Sequence, residues 1–243
     1  MSDDRPIGVL VGGASGLGVV ARLRATLPKE DLLVISDDSH DPYAALPARL
    51  VRARLERLGT ELTDGGAKLV LLGSLQGTLD GAPALSVPVL TLDGSVEEAA
   101  RRSTTGVVAA VCGEGCVRGD AYTQQVRRLR GGISVVVQEW AGLRSGILEP
   151  KAVLERALAS GAGAIALVCG HASPLAPTLR EAGSLLVVDA PFGAADRVRR
   201  RLAAGNALAQ RRRSGRTILS SSAPARSQAE LAVAVGSAAL QGR

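Results

Sequence analysis

Lys68-Leu69-Val70-Leu71-Leu72-Gly73-Ser74 and Ala164-Ile165-Ala166-Leu167-Val168-Cys169-Gly170-His171 are the two stretches on which the reading of this chain turns. Each is a short uninterrupted apolar run that breaks into glycine and small polar residues, as a strand buried on both faces of a parallel sheet does. In open α/β sheets such breaks fall at the carboxyl ends of strands, where ligands bind. One break carries a thiol, Cys169, and the other carries Gly73 in the comparable place.

Further apolar runs continue the pattern outward: Ile7 to Val11, Leu32 to Ile35, Val87 to Leu92, Val107 to Val111, Ser134 to Val137, Leu185 to Val188 and Thr217 to Leu219. Amphipathic segments lie between them at Leu17 to Leu27, Ala44 to Leu62, Val117 to Leu129, Lys151 to Ser160, Ala194 to Leu208 and Gln228 to Leu240. Alternation of this kind predicts an α/β fold with parallel strands flanked by helices. So many strands exceed a usual single sheet, which points to two α/β lobes. Asp93-Gly94-Ser95 marks the expected crossing, giving a first lobe of residues 1–94 and 214–243 and a second of 95–213.

Composition narrows the function classes. A chain of 243 residues with 46% hydrophobic content can bury a sizeable core. Its formal charge of +6 rests on arginine, since only Lys29, Lys68 and Lys151 are lysines among 29 basic residues. One Trp, two Tyr and one Phe supply no stacking platform, so no nucleic-acid partner is expected, and Arg197 to Arg201 with Arg211 to Arg213 read as solvated surface. No run approaches the roughly 18 apolar residues of a membrane span. Met1-Ser2-Asp3-Asp4-Arg5 lacks the features of a signal peptide, so a cytoplasmic protein without a membrane partner is expected. Cys112, Cys116 and Cys169 make an odd count unsuited to disulfides in a reducing compartment. Cys112 and Cys116 lack a second pair of ligands, and the histidines are His40 and His171, so no metal site is expected.

Gly12-Gly13-Ala14-Ser15-Gly16-Leu17-Gly18 follows a strand and opens a helix, with Asp37 or Asp38 about 20 residues on. This resembles the dinucleotide turn of short-chain dehydrogenases. Those enzymes also need a tyrosine followed four residues later by a lysine. Tyr43 and Tyr122 are followed at that offset by Pro47 and Val126, so the catalytic half is missing and no cofactor is expected.

A second resemblance spans nearly the whole chain. Ile7-Gly8-Val9-Leu10, Gly13, Gly16-Leu17, Val19, Asp41-Pro42-Tyr43, Gly66-Ala67-Lys68 and Val87-Pro88-Val89 are similar in order and spacing to glutamate racemases. Glu114 to Tyr122, Gln138-Glu139 and Val168-Cys169-Gly170-His171-Ala172-Ser173-Pro174-Leu175 continue the match. The resemblance to the Asp/Glu racemase superfamily implies two pseudo-symmetric α/β lobes and cofactor-independent deprotonation beside a carboxylate. It also implies one cysteine from each lobe on opposite faces of the substrate carbon, and it is compatible with a homodimer.

The departures fall at the chemistry. Asp-Ser after the family's first strand becomes Val11-Gly12, and Cys-Asn-Thr after the third becomes Gly73-Ser74-Leu75. Positions that grip the amino acid become Gly113, Cys116, Gly119 and Gly170. Arylmalonate decarboxylase, in the same superfamily, resembles this chain in its glycine-hydroxyl pair at Gly73-Ser74, its apolar loop Val11-Gly12-Gly13-Ala14 and its surviving Cys169-Gly170. It departs at Leu75, where that enzyme has a second hydroxyl, and near Gly113, where it has a tyrosine.

On burial habits alone Cys169 reads as a small hydrophobe. The resemblance makes it instead a single acid/base, tuned by His171. The expected site is then an apolar pocket lined by Val11, Gly12 and Leu75, with the backbone N–H groups of Gly73, Ser74 and Gly170 and the Ser74 hydroxyl holding an enediolate. Gly73 is expected to leave room for a bulky substituent. The expected ligand is a small carboxylate, and the expected activity is decarboxylation or isomerisation rather than two-base racemisation. A racemase homologue that has lost catalysis and kept a binding or regulatory role is the alternative.

Overall fold

A computed structural model of the chain describes residues 2–13, 16–74, 81–92, 94–113, 132–143, 149–223, 227–229 and 231–232. The expected helix at Val117 to Leu129, most of that at Gln228 to Leu240, and the site positions Leu75 and Cys116 lie outside them. The described residues form two compact units, 1–92 with 194–243, and 93–193.

The first unit holds a parallel sheet of β1 (Ile7–Val11), β2 (Leu32–Ser36), β3 (Leu69–Leu72), β4 (Val89–Leu90) and β9 (Thr217–Ser221), ordered β4-β3-β1-β2-β9. Burial explains the composition of these strands. The central β1 and β3 are buried at every residue, whereas the outer β9 alternates half-buried and exposed positions, as an edge with one covered face must. Helix α1 (Gly18–Thr26) buries Val19, Val20 and Leu23, and α2 (Ala48–Asp64) buries Val51, Leu55, Leu58 and Leu62 at helical spacing. Leu10, Ile35, Val70 and Leu72 form one core cluster with the α2 residues.

The second unit begins with α3 (Gly94–Arg102), at the segment expected to be only a crossing. Its sheet holds β5 (Val107–Gly113), β6 (Ser134–Trp140), β7 (Ala164–Leu167) and β8 (Leu186–Asp189), all parallel and ordered β6-β5-β7-β8. Helices α4 (Pro150–Ala159) and α5 (Ala176–Glu181) make the crossovers from β6 to β7 and from β7 to β8. Helix α6 (Ala190–Ala204) then carries the chain back into the first unit.

That return comes at residue 194, not at 214 as expected. A buried ion pair at the amino end of the first sheet ties residues 207–209 to this unit. Lys68 Nζ lies 2.7 Å from Glu30 Oε2, with side chains 1% and 2% exposed. The same ammonium donates to the carbonyls of Asp3 at 2.5 Å and Ala207 at 2.7 Å, and Glu30 Oε1 accepts the Ala209 N–H at 2.8 Å. Buried charges need such partners on every side. Residues 207–209 supply them and so belong with the first unit.

Candidate functional site

At the carboxyl end of the first sheet the chain's glycines answer to its own side chains. A Cβ at Gly73 would stand 2.7 Å from Val11 Cγ1 and 3.1 Å from Val19 Cγ1, and one at Gly16 would stand 2.7 Å from Val11 Cβ. Val11 is fully buried, so its isopropyl group is wedged between two glycines that have to be glycines. The expectation of room beside Gly73 is therefore corrected, because Val11 has filled it. The Gly73 N–H is also committed, donating to the Leu10 carbonyl at 2.7 Å, which removes it from the expected oxyanion donors. The Ser74 Oγ is different: it is buried and has no hydrogen-bond partner among the described residues.

The opposite face of the same strand ends carries a polar network that the sequence reading missed. Asp37, 4% exposed, accepts from Tyr43 Oη at 2.7 Å, Arg54 Nε at 2.5 Å and Arg54 Nη2 at 2.6 Å, with His40 Nδ1 at 3.2 Å. Burial pushes the Asp37 carboxyl up, but the bonds from Arg54 and Tyr43 outweigh it and hold the group below its ordinary value. Burial and the adjacent carboxylate raise Tyr43 and keep it neutral. A Cβ at Gly12 would meet the Tyr43 ring at 3.1 Å, and one at Gly13 would meet Asp41 Cγ at 2.5 Å. The dinucleotide-like turn is thus packed against Tyr43, Asp41 and Val11, and Asp37 is held by Arg54. The signal available in sequence was Asp41-Pro42-Tyr43, whose tyrosine closes over the turn.

In the second unit Cys169 follows β7 and is 4% exposed. Its carbonyl accepts the Ala172 N–H at 3.1 Å and the Ser173 hydroxyl at 3.3 Å, which fixes the turn from strand to helix. Gly170 and His171 lie half-buried in this turn. Gly113 is the last residue of β5, paired with Trp140. Cys112 is a core residue, fully buried, with Sγ 4.0 Å from the Gln138 carbonyl.

A glutamate racemase of Pseudomonas aeruginosa is 30% identical to this chain over 221 residues, covering 84% of this chain and 83% of that one. The chain belongs to the glutamate racemase family. The glutamate racemase of Methylococcus capsulatus is 29% identical over 240 residues, 92% of this chain and 89% of its own. No protein-family model matches the chain. Among solved structures, glutamate racemase from Francisella tularensis, in complex with D-glutamate, superposes with a TM-score of 0.79 at 17% identity, covering 96% of this chain and 94% of that one. The Thermus thermophilus enzyme, in complex with β-chloro-D-alanine, gives 0.73 at 23%, covering 96% and 93%. These likenesses establish the fold: two parallel sheets flanked by helices, as in racemases of this family. Among the described residues no helix is long and apolar enough to cross a membrane.

Proposed function

We propose that this member of the racemase family carries out cofactor-independent, one-cysteine proton chemistry on a small carboxylate, by decarboxylation or isomerisation. The observation that carries the reading is Val11, whose side chain occupies the space a side chain at position 73 would need. The first unit then has no acid/base at position 73, and among the described residues its Ser74 hydroxyl has no hydrogen-bond partner. Cys169, at the end of β7, is assigned the proton. In decarboxylation the C–C bond pair becomes the enediolate as carbon dioxide leaves, and the thiol proton then goes to the carbanionic carbon. Solvent returns a proton to the thiolate and closes the cycle. His171, two residues on, is assigned to set the protonation of that thiol.

Two-base racemisation does not follow from these residues, because a proton taken from one face has no second thiol at position 73 to return it from the other. A second reading, an inactive homologue that binds a metabolite, draws on one observation: Cys169 is 4% exposed, as a structural cysteine would be. Alkylation with iodoacetamide and peptide mapping separates the two. The catalytic reading expects Cys169 to be modified faster than Cys112 and to be protected by millimolar carboxylate. A Cys169 that labels no faster than fully buried Cys112 would refute it.

A further inference from the structure

Two side chains at the end of β6 carry buried polar groups with no hydrogen-bond partner among the described residues, and an exposed arginine lies beside them. Gln138 is 1% exposed, and among the described residues neither its Oε1 nor its Nε2 has a hydrogen-bond partner. Trp140 Nε1 is buried and equally unpartnered. The Arg156 guanidinium carbon lies 5.2 Å from the centroid of the Trp140 ring, and no carboxylate among the described residues forms an ion pair with it. A buried donor without an acceptor is costly, and an acceptor brought by a ligand would relieve it.

Register brings the three together. Gln138 and Trp140 are two residues apart on one strand and so face the same side of the sheet, the side on which Trp140 meets Arg156 of α4. Gln138 pairs with Val111, and Val111 pairs with Leu167; Trp140 pairs with Gly113. The Val168 N–H donates to the Val111 carbonyl and closes the β5–β7 ladder at the Val111–Leu167 pair. Leu167 is the last paired residue of β7, and Cys169 follows it by two, at the same carboxyl end of the sheet as Gly113 and Trp140.

We propose that Gln138, Trp140 and Arg156 form a carboxylate-binding subsite beside Cys169. The indole N–H and the Gln138 Nε2 donate to the carboxylate oxygens, and Arg156 supplies the countercharge. The Gln138 Oε1 remains to accept a hydroxyl, ammonium or water proton. The subsite rests on the reading of Cys169 as the reactive end of this unit and adds the groups that orient a ligand there.

Trp140 is the only tryptophan in the chain, so its emission reports the subsite directly. The full-length protein is titrated with L-glutamate, methylmalonate and inorganic phosphate. The proposal expects a saturable change in Trp140 emission with at least one of the two carboxylates, and at least ten-fold weaker binding of phosphate. Gln138→Leu and Arg156→Gln should each weaken carboxylate binding about ten-fold. Gln138→Leu should also hold or raise the thermal midpoint, since it removes an unpartnered amide, so weaker binding in a stable variant is not unfolding. No saturable change with either carboxylate, phosphate binding as tightly as carboxylate, or wild-type affinity in both variants would each overturn the subsite. Cys169→Ala separates it from the chemistry. Binding that persists while catalysis is absent in the wild type sinks the one-cysteine reading alone, whereas catalysis with a silent Trp140 sinks the subsite alone.

Discussion

Replacing Gly73 by cysteine should damage this protein, and the damage should not add to that of a second change at Val11. A Cβ at position 73 would come within 2.7 Å of Val11 Cγ1 and 3.1 Å of Val19 Cγ1, and a sulfur would extend further. Overpacking of this kind costs about 1–3 kcal/mol. Val11→Ala removes two buried methyl groups, worth about 1.6 kcal/mol by transfer and about 2 kcal/mol once the cavity is included. Independent effects would sum to roughly 4 kcal/mol. The geometry expects the double variant to lose only about 2 kcal/mol, because the new side chain enters the space the valine leaves, giving a coupling of 1 kcal/mol or more. Urea unfolding followed by far-ultraviolet circular dichroism measures all four corners of the cycle. Additivity within about 0.5 kcal/mol, or a Gly73→Cys variant as stable as the parent, would refute the claim that Val11 fills this site.

Two further predictions concern stability. Lys68→Met leaves Glu30 buried without its cation and should cost about 3–5 kcal/mol, read as a fall in the urea midpoint; a loss below about 1 kcal/mol would contradict the clamp at the amino end of the sheet. The pH dependence follows from Asp37 and Asp31. Hydrogen bonds from Arg213 lead in lowering Asp31, and those from Arg54 and Tyr43 lower Asp37 against its burial, so both folded values lie below the unfolded value of about 3.9. Their stabilisation is then present above about pH 4 and is lost as pH falls through the folded values. Asp37→Asn should flatten this acid limb, and an unchanged limb would count against the network.

Much of the fold was legible in sequence because the strands are buried on both faces. Ile7 to Val11 and Leu69 to Leu72 are apolar without interruption, and the structure gives strands with those same bounds. Ser134 to Val137 was read short: β6 runs on to Trp140, with Glu139 exposed on this edge strand and Gln138 buried beneath it. Helix α3 was missed since its opening Asp93-Gly94-Ser95 looks like a turn, although Val96, Ala99 and Ala100 form a buried stripe. The tie of residues 207–209 to the first unit depends on Lys68 meeting the Ala207 carbonyl and Glu30 the Ala209 N–H, contacts between distant segments that no local pattern records. The same holds at the site. Cys169 is visible as a thiol at a strand end, but that Val11 excludes a side chain at Gly73 appears only when two neighbouring strands are laid side by side. Gln138 and Trp140 attract notice only once their lack of partners is known.

The central claim is that proton transfer here depends on Cys169 alone. Its most direct test is incubation of the protein in deuterated water with glutamate and methylmalonate, following carbon dioxide release, deuterium at the α-carbon and enantiomer composition, with Cys169→Ala in parallel. The account predicts carbon dioxide release or exchange with retention of one configuration, abolished by Cys169→Ala. Glutamate racemising to equal enantiomers, or turnover that survives Cys169→Ala, would contradict it.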